Sequence, residues 1–269
     1  MTPLAKKRFG QHFLRDTGML DRIVRLIDPT PSDILVEVGA GDAALSSRLA
    51  PAVSTLLAIE IDDECIGTLR ETLSWFSGAE VVHGDILKID LPALIAAHLA
   101  PGKTLRVTGN LPFNISTAIV TKWLDSGLPI RDMVFMVQLE VAERLTAHPG
   151  TRDYGYLSIL CQHRADLRLE FRVSPACFVP RPKVVSAMVS IRPRPCEFDP
   201  ELEHEFRELA KASFAHRRKT IANSLGRNPR YARLGSELLR RASIDGNRRP
   251  EQLSVLEYEH LARTLAEIK

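Results

Sequence analysis

Apolar residues recur along the first two-thirds of the chain in short runs, each closed by glycine, asparagine or an acid. Ile34–Val38 is followed by Gly39 and Gly41, Leu56–Ile61 ends around Glu60 and Asp62, and Glu80–Val82 ends near Asp85. Thr104–Thr108 is followed by Gly109 and Asn110, and Met133–Val137 forms a fifth run. Segments with helical spacing, Ala43–Leu49, Glu64–Leu73, Ile115–Leu124 and Val141–Leu145, alternate with them. This alternation predicts βαβ units joined by right-handed crossovers around a parallel sheet. Leu157–Leu160 and Val184–Ile191 are expected as strands that close the sheet edge. Beyond the proline-rich stretch Arg192–Cys196 the pattern turns helical and charged, ending in a helix near Ser254–Ile268. The expected fold class is α/β, a Rossmann-like sheet, mostly parallel with an antiparallel edge, over residues 1–196. A small α-helical domain follows over residues 197–269.

Composition narrows the class. Of 269 residues, 45% are hydrophobic and 26% charged, as in an ordinary soluble globular protein. No run of eighteen apolar residues exists, so no membrane span is expected. The basic N-terminus lacks the apolar core of a signal peptide. Cys65, Cys161, Cys177 and Cys196 are widely spaced without a CxxC pair, which fits a reducing, cytoplasmic setting and predicts neither a disulfide frame nor a metal site. Nothing in the pattern calls for an obligate oligomer, so a monomer is expected. The net charge of +3 is unevenly placed: residues 211–249 hold eleven Lys or Arg against Glu237 and Asp245. Such a stretch suits a polyanion such as nucleic acid; the alternative is a solvated helical face.

The loops after the runs carry the candidate chemistry. Gly39-Ala40-Gly41-Asp42-Ala43-Ala44 fits GxGxx(G/A), expected to open a helix after its strand and to let the backbone approach a nucleotide. Glu60 lies 19 residues after Gly41, where an acid can accept from ribose hydroxyls. This spacing does not separate NAD from S-adenosylmethionine, and it also suits a plain tight turn. Asp85 can accept from an adenine amino group or cap a local turn. Asn110-Leu111-Pro112-Phe113 follows the fourth run. With strand order 3-2-1-4-5, it faces Gly39 across the crevice where that order reverses. The Asn110 side-chain carbonyl and the Leu111 backbone carbonyl can both accept from an exocyclic amino group. That would favour its tetrahedral, nucleophilic form as positive charge develops. Pro112 fixes the turn, and Phe113 offers a face for an unstacked base. A proline turn with asparagine as a local cap is the alternative.

Five segments resemble the ribosomal RNA adenine dimethyltransferase family. Asn110-Leu111-Pro112-Phe113-Asn114-Ile115-Ser116-Thr117 is similar to its NLPYNIST motif, and Glu37-Val38-Gly39-Ala40-Gly41 to its methyl-donor motif. Arg8–Leu14 resembles its RFGQNFL segment, Phe178–Val184 its FxPxPKV segment, and His216–Thr220 its QRRKT segment. The resemblance runs from about residue 6 to residue 225, most closely to the KsgA-type branch. It implies a class I methyltransferase sheet and S-adenosylmethionine as donor. The implied reaction transfers four methyl groups to N6 of two adjacent adenosines near the 3′ end of 16S ribosomal RNA in the small subunit. Donor contacts are implied for Gln11, His12, Leu14, Glu37, Gly39, Gly41, Glu60, Ile61, Asp85, Ile86 and Asn110. Asn110, Leu111, Pro112 and Phe113 would form the reacting site, with Phe178 as a second aromatic wall. By their charge, Lys6, Lys7 and Arg8, with Lys183, Arg217, Arg218 and Lys219, are expected to grip RNA phosphates. The chain departs from the family pattern at His12, where Asn is usual, at Phe113, where Tyr is usual, and at Val185, where Asp is frequent. An Erm-type enzyme acting on 23S RNA and a non-catalytic ribosome assembly factor are the other readings.

Overall fold

The structure, a computed structural model, describes residues 11–216 and 218–268. These form two compact units. One comprises the chain up to Ala142 together with Leu167–Pro193; the other comprises Glu143–Asp166 and the chain from Arg194 onward. The first contains β1 (Phe13–Leu14), α1 (Thr17–Ile27), β2 (Asp33–Val38), α2 (Ser46–Leu49), β3 (Thr55–Glu60) and α3 (Asp63–Leu73). It continues with β4 (Ala79–His83), α4 (Leu91–Ala96), β5 (Thr104–Asn110), α5 (Ser116–Leu124) and β6 (Ile130–Gln138). After α6 (Leu139–Thr146) and α7 (Tyr156–Arg164) come β7 (Ala165–Val173), β8 (Phe178–Val179) and β9 (Ser186–Pro193). The second unit ends with α8 (Pro200–Phe214), α9 (Ile221–Arg227), α10 (Gly235–Arg241) and α11 (Val255–Ile268).

Seven strands form one sheet in the order β4-β3-β2-β5-β6-β9-β7. The first five are parallel and reproduce the expected 3-2-1-4-5 order; β9 pairs antiparallel with β6, from Met133↔Ile191 to Gln138↔Ser186. All six residues of β2 are buried, as required of a central parallel strand covered on both faces. Buried polar groups in it need internal partners. Arg106 on β5 supplies one, donating to Asp33 of β2 at 3.0 Å and to Asp132 of β6 at 2.8 Å. It also donates to the Ile27 and Asp28 carbonyls at 2.5 and 2.9 Å, which fastens the end of α1 to the strands.

Two expectations are corrected. Leu157–Leu160 is not a strand: it lies inside α7, which starts after Gly155. The Ser158 hydroxyl accepts from the Gly155 N–H at 3.0 Å, and Ile159 joins the core of the second unit with Phe206 and Leu209. The outermost strand beside β9 is instead β7, whose ADLRLEFRV sequence alternates in burial along its length. The glycine loop does not run straight into a helix either: helical backbone begins at Ser46. Residues 39–45 hold a wide turn in which Gly39, Gly41 and Ala43 adopt φ of 72°, 57° and 67°.

The break between units at Pro193/Arg194 lies three residues from the expected 196/197 boundary. Residues 143–166 fold with the C-terminal helices because Ala147, Tyr154 and Ile159 belong to the same apolar core as Leu225, Tyr258 and Leu261. No helix among the described residues is long and apolar enough to cross a membrane.

Removing Arg106 would leave Asp33 buried without its cation. Arg106→Met is therefore expected to lower the unfolding free energy by about 3–5 kcal/mol, read as a shift in the urea midpoint; a change under about 1 kcal/mol would contradict this role.

Candidate active site

The carboxyl ends of β2, β3, β4 and β5 open into one cavity in the first unit. Its lining includes all eleven expected donor contacts, Gln11, His12, Leu14, Glu37, Gly39, Gly41, Glu60, Ile61, Asp85, Ile86 and Asn110, together with Leu111, Pro112 and Phe113. Gly39 is required by its surroundings. Its φ is +72°, and a Cβ there would meet the Asn110 carbonyl oxygen at 3.3 Å. Gly41 packs as tightly, since a Cβ would lie 3.2 Å from the Phe13 ring.

The acids differ in what they already bind. Glu60 Oε2 accepts from the Gly41 N–H at 2.8 Å, and Oε1 accepts from the Ile61 and Asp62 N–H groups at 2.8 and 2.9 Å. A carboxylate offers about four acceptor positions, so three backbone donors leave Glu60 little capacity beyond one further strong bond. Burial raises its pKa, against the lowering effect of those N–H groups. Glu37 is fully inside β2 and accepts from the Ser46 hydroxyl at 2.5 Å. Burial, reinforced by the charges of Glu60 and Asp42, pushes it up to about 8. Asp85 accepts from the Leu87 N–H at 2.9 Å, so it caps the turn after β4 while still lining the cavity.

At the end of β5, the Asn110 side-chain amide donates to the His12 carbonyl at 3.0 Å. That use of the NH2 group fixes the amide orientation and reserves the side-chain oxygen as the acceptor. Leu111 is buried and donates its N–H to Met136 O at 3.0 Å. Phe113 stacks on the His12 ring, centroids 5.6 Å apart and planes 29° apart. The His12 Nδ1 in turn lies 2.8 Å from the Pro180 carbonyl, so the unusual histidine bridges the aromatic face and the β8 loop.

Residues 11–16 cross the site as a strap. Gln11 donates to Asp62 at 2.9 Å, β1 pairs antiparallel with β8, and Arg15 pairs with Asp42 at 2.5 Å. The sequence assigns no role to Arg15, which adjoins the Arg8–Leu14 segment, or to Asp42, which lies within the glycine motif. Residues 6–10, including Lys6, Lys7 and Arg8, lie outside the described residues.

Other expected residues are not in the cavity lining. Phe178 is buried opposite Leu14 in the β1–β8 pair and packs in the apolar core, so its ring is occupied in packing rather than forming a cavity wall. Lys183, Arg218 and Lys219 are exposed and do not line it; Arg217 is outside the described residues. In the second unit, much of the basic stretch is neutralised. Lys211 pairs with Glu208, Arg230 with Glu205, Arg240 and Arg241 with Glu237, Arg248 with Glu257 and Arg249 with Glu251. Among the described residues of that stretch, Arg218, Lys219, Arg227 and Arg233 have no acidic partner and are exposed.

Comparison with known proteins finds similarity over nearly the whole chain. The sequence profile described as ribosomal RNA adenine dimethylase fits residues 3–267. The ribosomal RNA small subunit methyltransferase A of Chromohalobacter salexigens is 42% identical over 98% of this chain and 92% of its own. A dimethyladenosine transferase structure from Plasmodium falciparum superposes with a TM-score of 0.79, covering 95% of this chain and 98% of its own at 23% identity. The 23S rRNA methyltransferase ErmE gives a TM-score of 0.70, covering 94% and 99% at 25% identity.

Glu37 makes stability pH-dependent. Below the ordinary carboxylate range it is protonated both folded and unfolded. As pH rises toward about 8, the unfolded chain ionises and the folded one does not, so its contribution to stability falls across that window. The fall is at most ~1.4 kcal/mol per pH unit. Glu37→Gln removes it, so the variant should gain stability relative to the parent between pH 5 and pH 8.5. Parallel urea curves with no such gain would contradict a neutral buried Glu37.

Proposed function

The chain belongs to the ribosomal RNA adenine dimethylase family, and we propose that it dimethylates N6 of two adjacent adenosines near the 3′ end of 16S RNA in the small ribosomal subunit, with S-adenosylmethionine as donor. The observation that carries this reading is the meeting of the Gly39 loop and the Asn110 loop across one cavity. The closer likeness to small-subunit enzymes, 42% against 25% for the 23S enzyme, favours the small-subunit substrate.

The residues present fit the donor. The glycine turn has no side chain where a ligand must come close, Glu60 and Asp85 are acceptors at the ends of adjacent strands, and Ile61 and Ile86 supply apolar flanks. S-adenosylmethionine would supply a methyl group on a sulfonium whose sulfur departs as a neutral thioether when the methyl is transferred. The cation also suits a cavity lined by Glu37 and Glu60, whose ionised forms it favours.

Adenine N6 is a weak nucleophile because its lone pair is delocalised into the ring. The Asn110 side-chain oxygen and the Leu111 carbonyl accept its two N–H bonds and stabilise the positive charge that grows on nitrogen during transfer. His12 holds the Asn110 amide by its carbonyl and backs Phe113 with its ring, leaving the other face of Phe113 for the flipped base. The amino proton passes to solvent after transfer, so no general base is required. The free cations Arg218, Lys219, Arg227 and Arg233, with exposed Arg181 and Lys183, contact RNA phosphates and position the substrate without reading its sequence.

Small subunits from a strain lacking this methylation are the substrate for the test. Asn110→Ala should lower single-turnover methyl transfer by about 10²–10³-fold with the fold intact. Transfer within threefold of the parent would overturn the assigned role of Asn110, and transfer by neither protein would favour an assembly factor that binds without turnover. RNA binding in a filter assay should weaken by about 10³-fold between 50 and 200 mM salt for six phosphate contacts; a flat response would sink the proposed electrostatic grip.

A further inference from the structure

One side-chain cluster in the second unit is used by nothing above. His163 of α7 is buried, its side chain 4% exposed, and its ring packs against Phe198 and Phe206 with centroids 4.8 and 4.1 Å away. Its Nδ1 lies 2.7 Å from Glu259 Oε1 of α11. Its Nε2 lies 3.0 Å from Glu203 Oε2 of α8 and 3.6 Å from the Cys196 Sγ, and that sulfur lies 3.5 Å from the same carboxylate oxygen. Cys196 is half-buried, so the cluster has a route to solvent.

We propose that His163 Nε2, Cys196 Sγ and Glu203 Oε2 form a three-ligand site for a zinc-class divalent cation, with water as fourth ligand. Geometry and donor chemistry agree. Zinc bonds of about 2.0–2.3 Å to nitrogen, oxygen and sulfur place tetrahedral ligand atoms roughly 3.3–3.6 Å apart. The three observed separations of 3.0, 3.5 and 3.6 Å match that spacing to within a few tenths of an ångström. One imidazole, one thiolate and one carboxylate suit zinc, whereas magnesium and calcium take all-oxygen sets. Glu259 on Nδ1 supplies the outer carboxylate that orients a ligating histidine and leaves Nε2 free to bind. Arg207 Nε holds the other oxygen, Glu203 Oε1, at 2.6 Å, so the carboxylate is already aimed with Oε2 toward the histidine and the thiol.

Binding would release the thiol proton, and the proton that Nε2 shares with Glu203, to solvent and change no oxidation state. The ion would tie the segment around Cys196, which follows β9, to α7 and α8, and so act as a structural staple of the second unit. Cysteine spacing alone predicts no metal because the three ligands are scattered through the sequence at 163, 196 and 203. A direct ion-pair network, His163 between two carboxylates, is the competing account of the same contacts.

The test uses the full chain, stripped with chelator and titrated with Co2+ and then Zn2+. One equivalent of Co2+ should produce a thiolate charge-transfer absorption in the near ultraviolet, and Zn2+ should displace it. Cys196→Ser should abolish that absorption and weaken Zn2+ binding at least tenfold, while Cys177→Ser leaves both unchanged. Should Cys196→Ser not fold, Glu259→Gln keeps all three ligands and should weaken binding about 10–100-fold. No stoichiometric uptake by the parent protein, or uptake equal in Cys196→Ser, would overturn the proposal in favour of the ion-pair network.

Discussion

The close approach of β2 and β5 at their carboxyl ends is the constraint on which the rest of the site depends. A Cβ on Gly109 would sit 2.2 Å from the Val38 carbonyl oxygen, so only glycine allows the two backbones this spacing. The sheet order reverses between these strands, and the two loops leaving them therefore diverge around a common crevice. Gly39 and Asn110 meet there. At the opposite end of the same strands, Arg106 ties Asp33, Asp132 and the end of α1 together. The polar network ties the strands at one end, and Gly109 permits their close approach at the other.

Electrostatics in the cavity follows from this frame. Glu37 and Glu60 are buried on neighbouring strands, and burial raises both carboxyls. Such acids are costly to ionise alone and less costly beside a cation. The neutral partners are arranged with equal economy: the Asn110 NH2 group goes to a strap carbonyl, which reserves its oxygen for the target amino group. The departure at His12 keeps the backbone carbonyl that Asn110 needs and adds a ring that supports Phe113, so stacking survives where the usual tyrosine hydroxyl is absent.

Much of this architecture is legible in the sequence because parallel strands announce themselves as apolar runs and the chemistry sits in the residues that end them. The five parallel strands take the order assumed for a doubly wound sheet, and Gly39, Glu60, Asp85 and Asn110 gather around one cavity, with Glu37, which the resemblance implies, among them. What was not legible was in part a competing local signal and in part a matter of long-range partners. Leu157–Leu160 is apolar enough for a strand, but Gly155 and Ser158 start a helix there, and the alternation of Leu167, Leu169 and Phe171 marked the real edge strand. Phe178, which the resemblance implies as a second aromatic wall, is buried where β8 pairs with β1. Charge counted over residues 211–249 overstates the free basic surface, because Glu205, Glu208, Glu251 and Glu257 reach in from outside that window. The His163 cluster is invisible to spacing for the same reason.

The proposed substrate of this cavity is a pair of adjacent adenosines of small-subunit RNA. The most direct measurement incubates both ribosomal subunits, taken from cells lacking the modification, with the protein and labelled S-adenosylmethionine, and maps the label by mass spectrometry and primer extension. Four methyl groups are expected on two neighbouring adenosines near the 3′ end of the small-subunit RNA and none on the large subunit. Label confined to large-subunit RNA, or spread over unrelated adenosines, would contradict it.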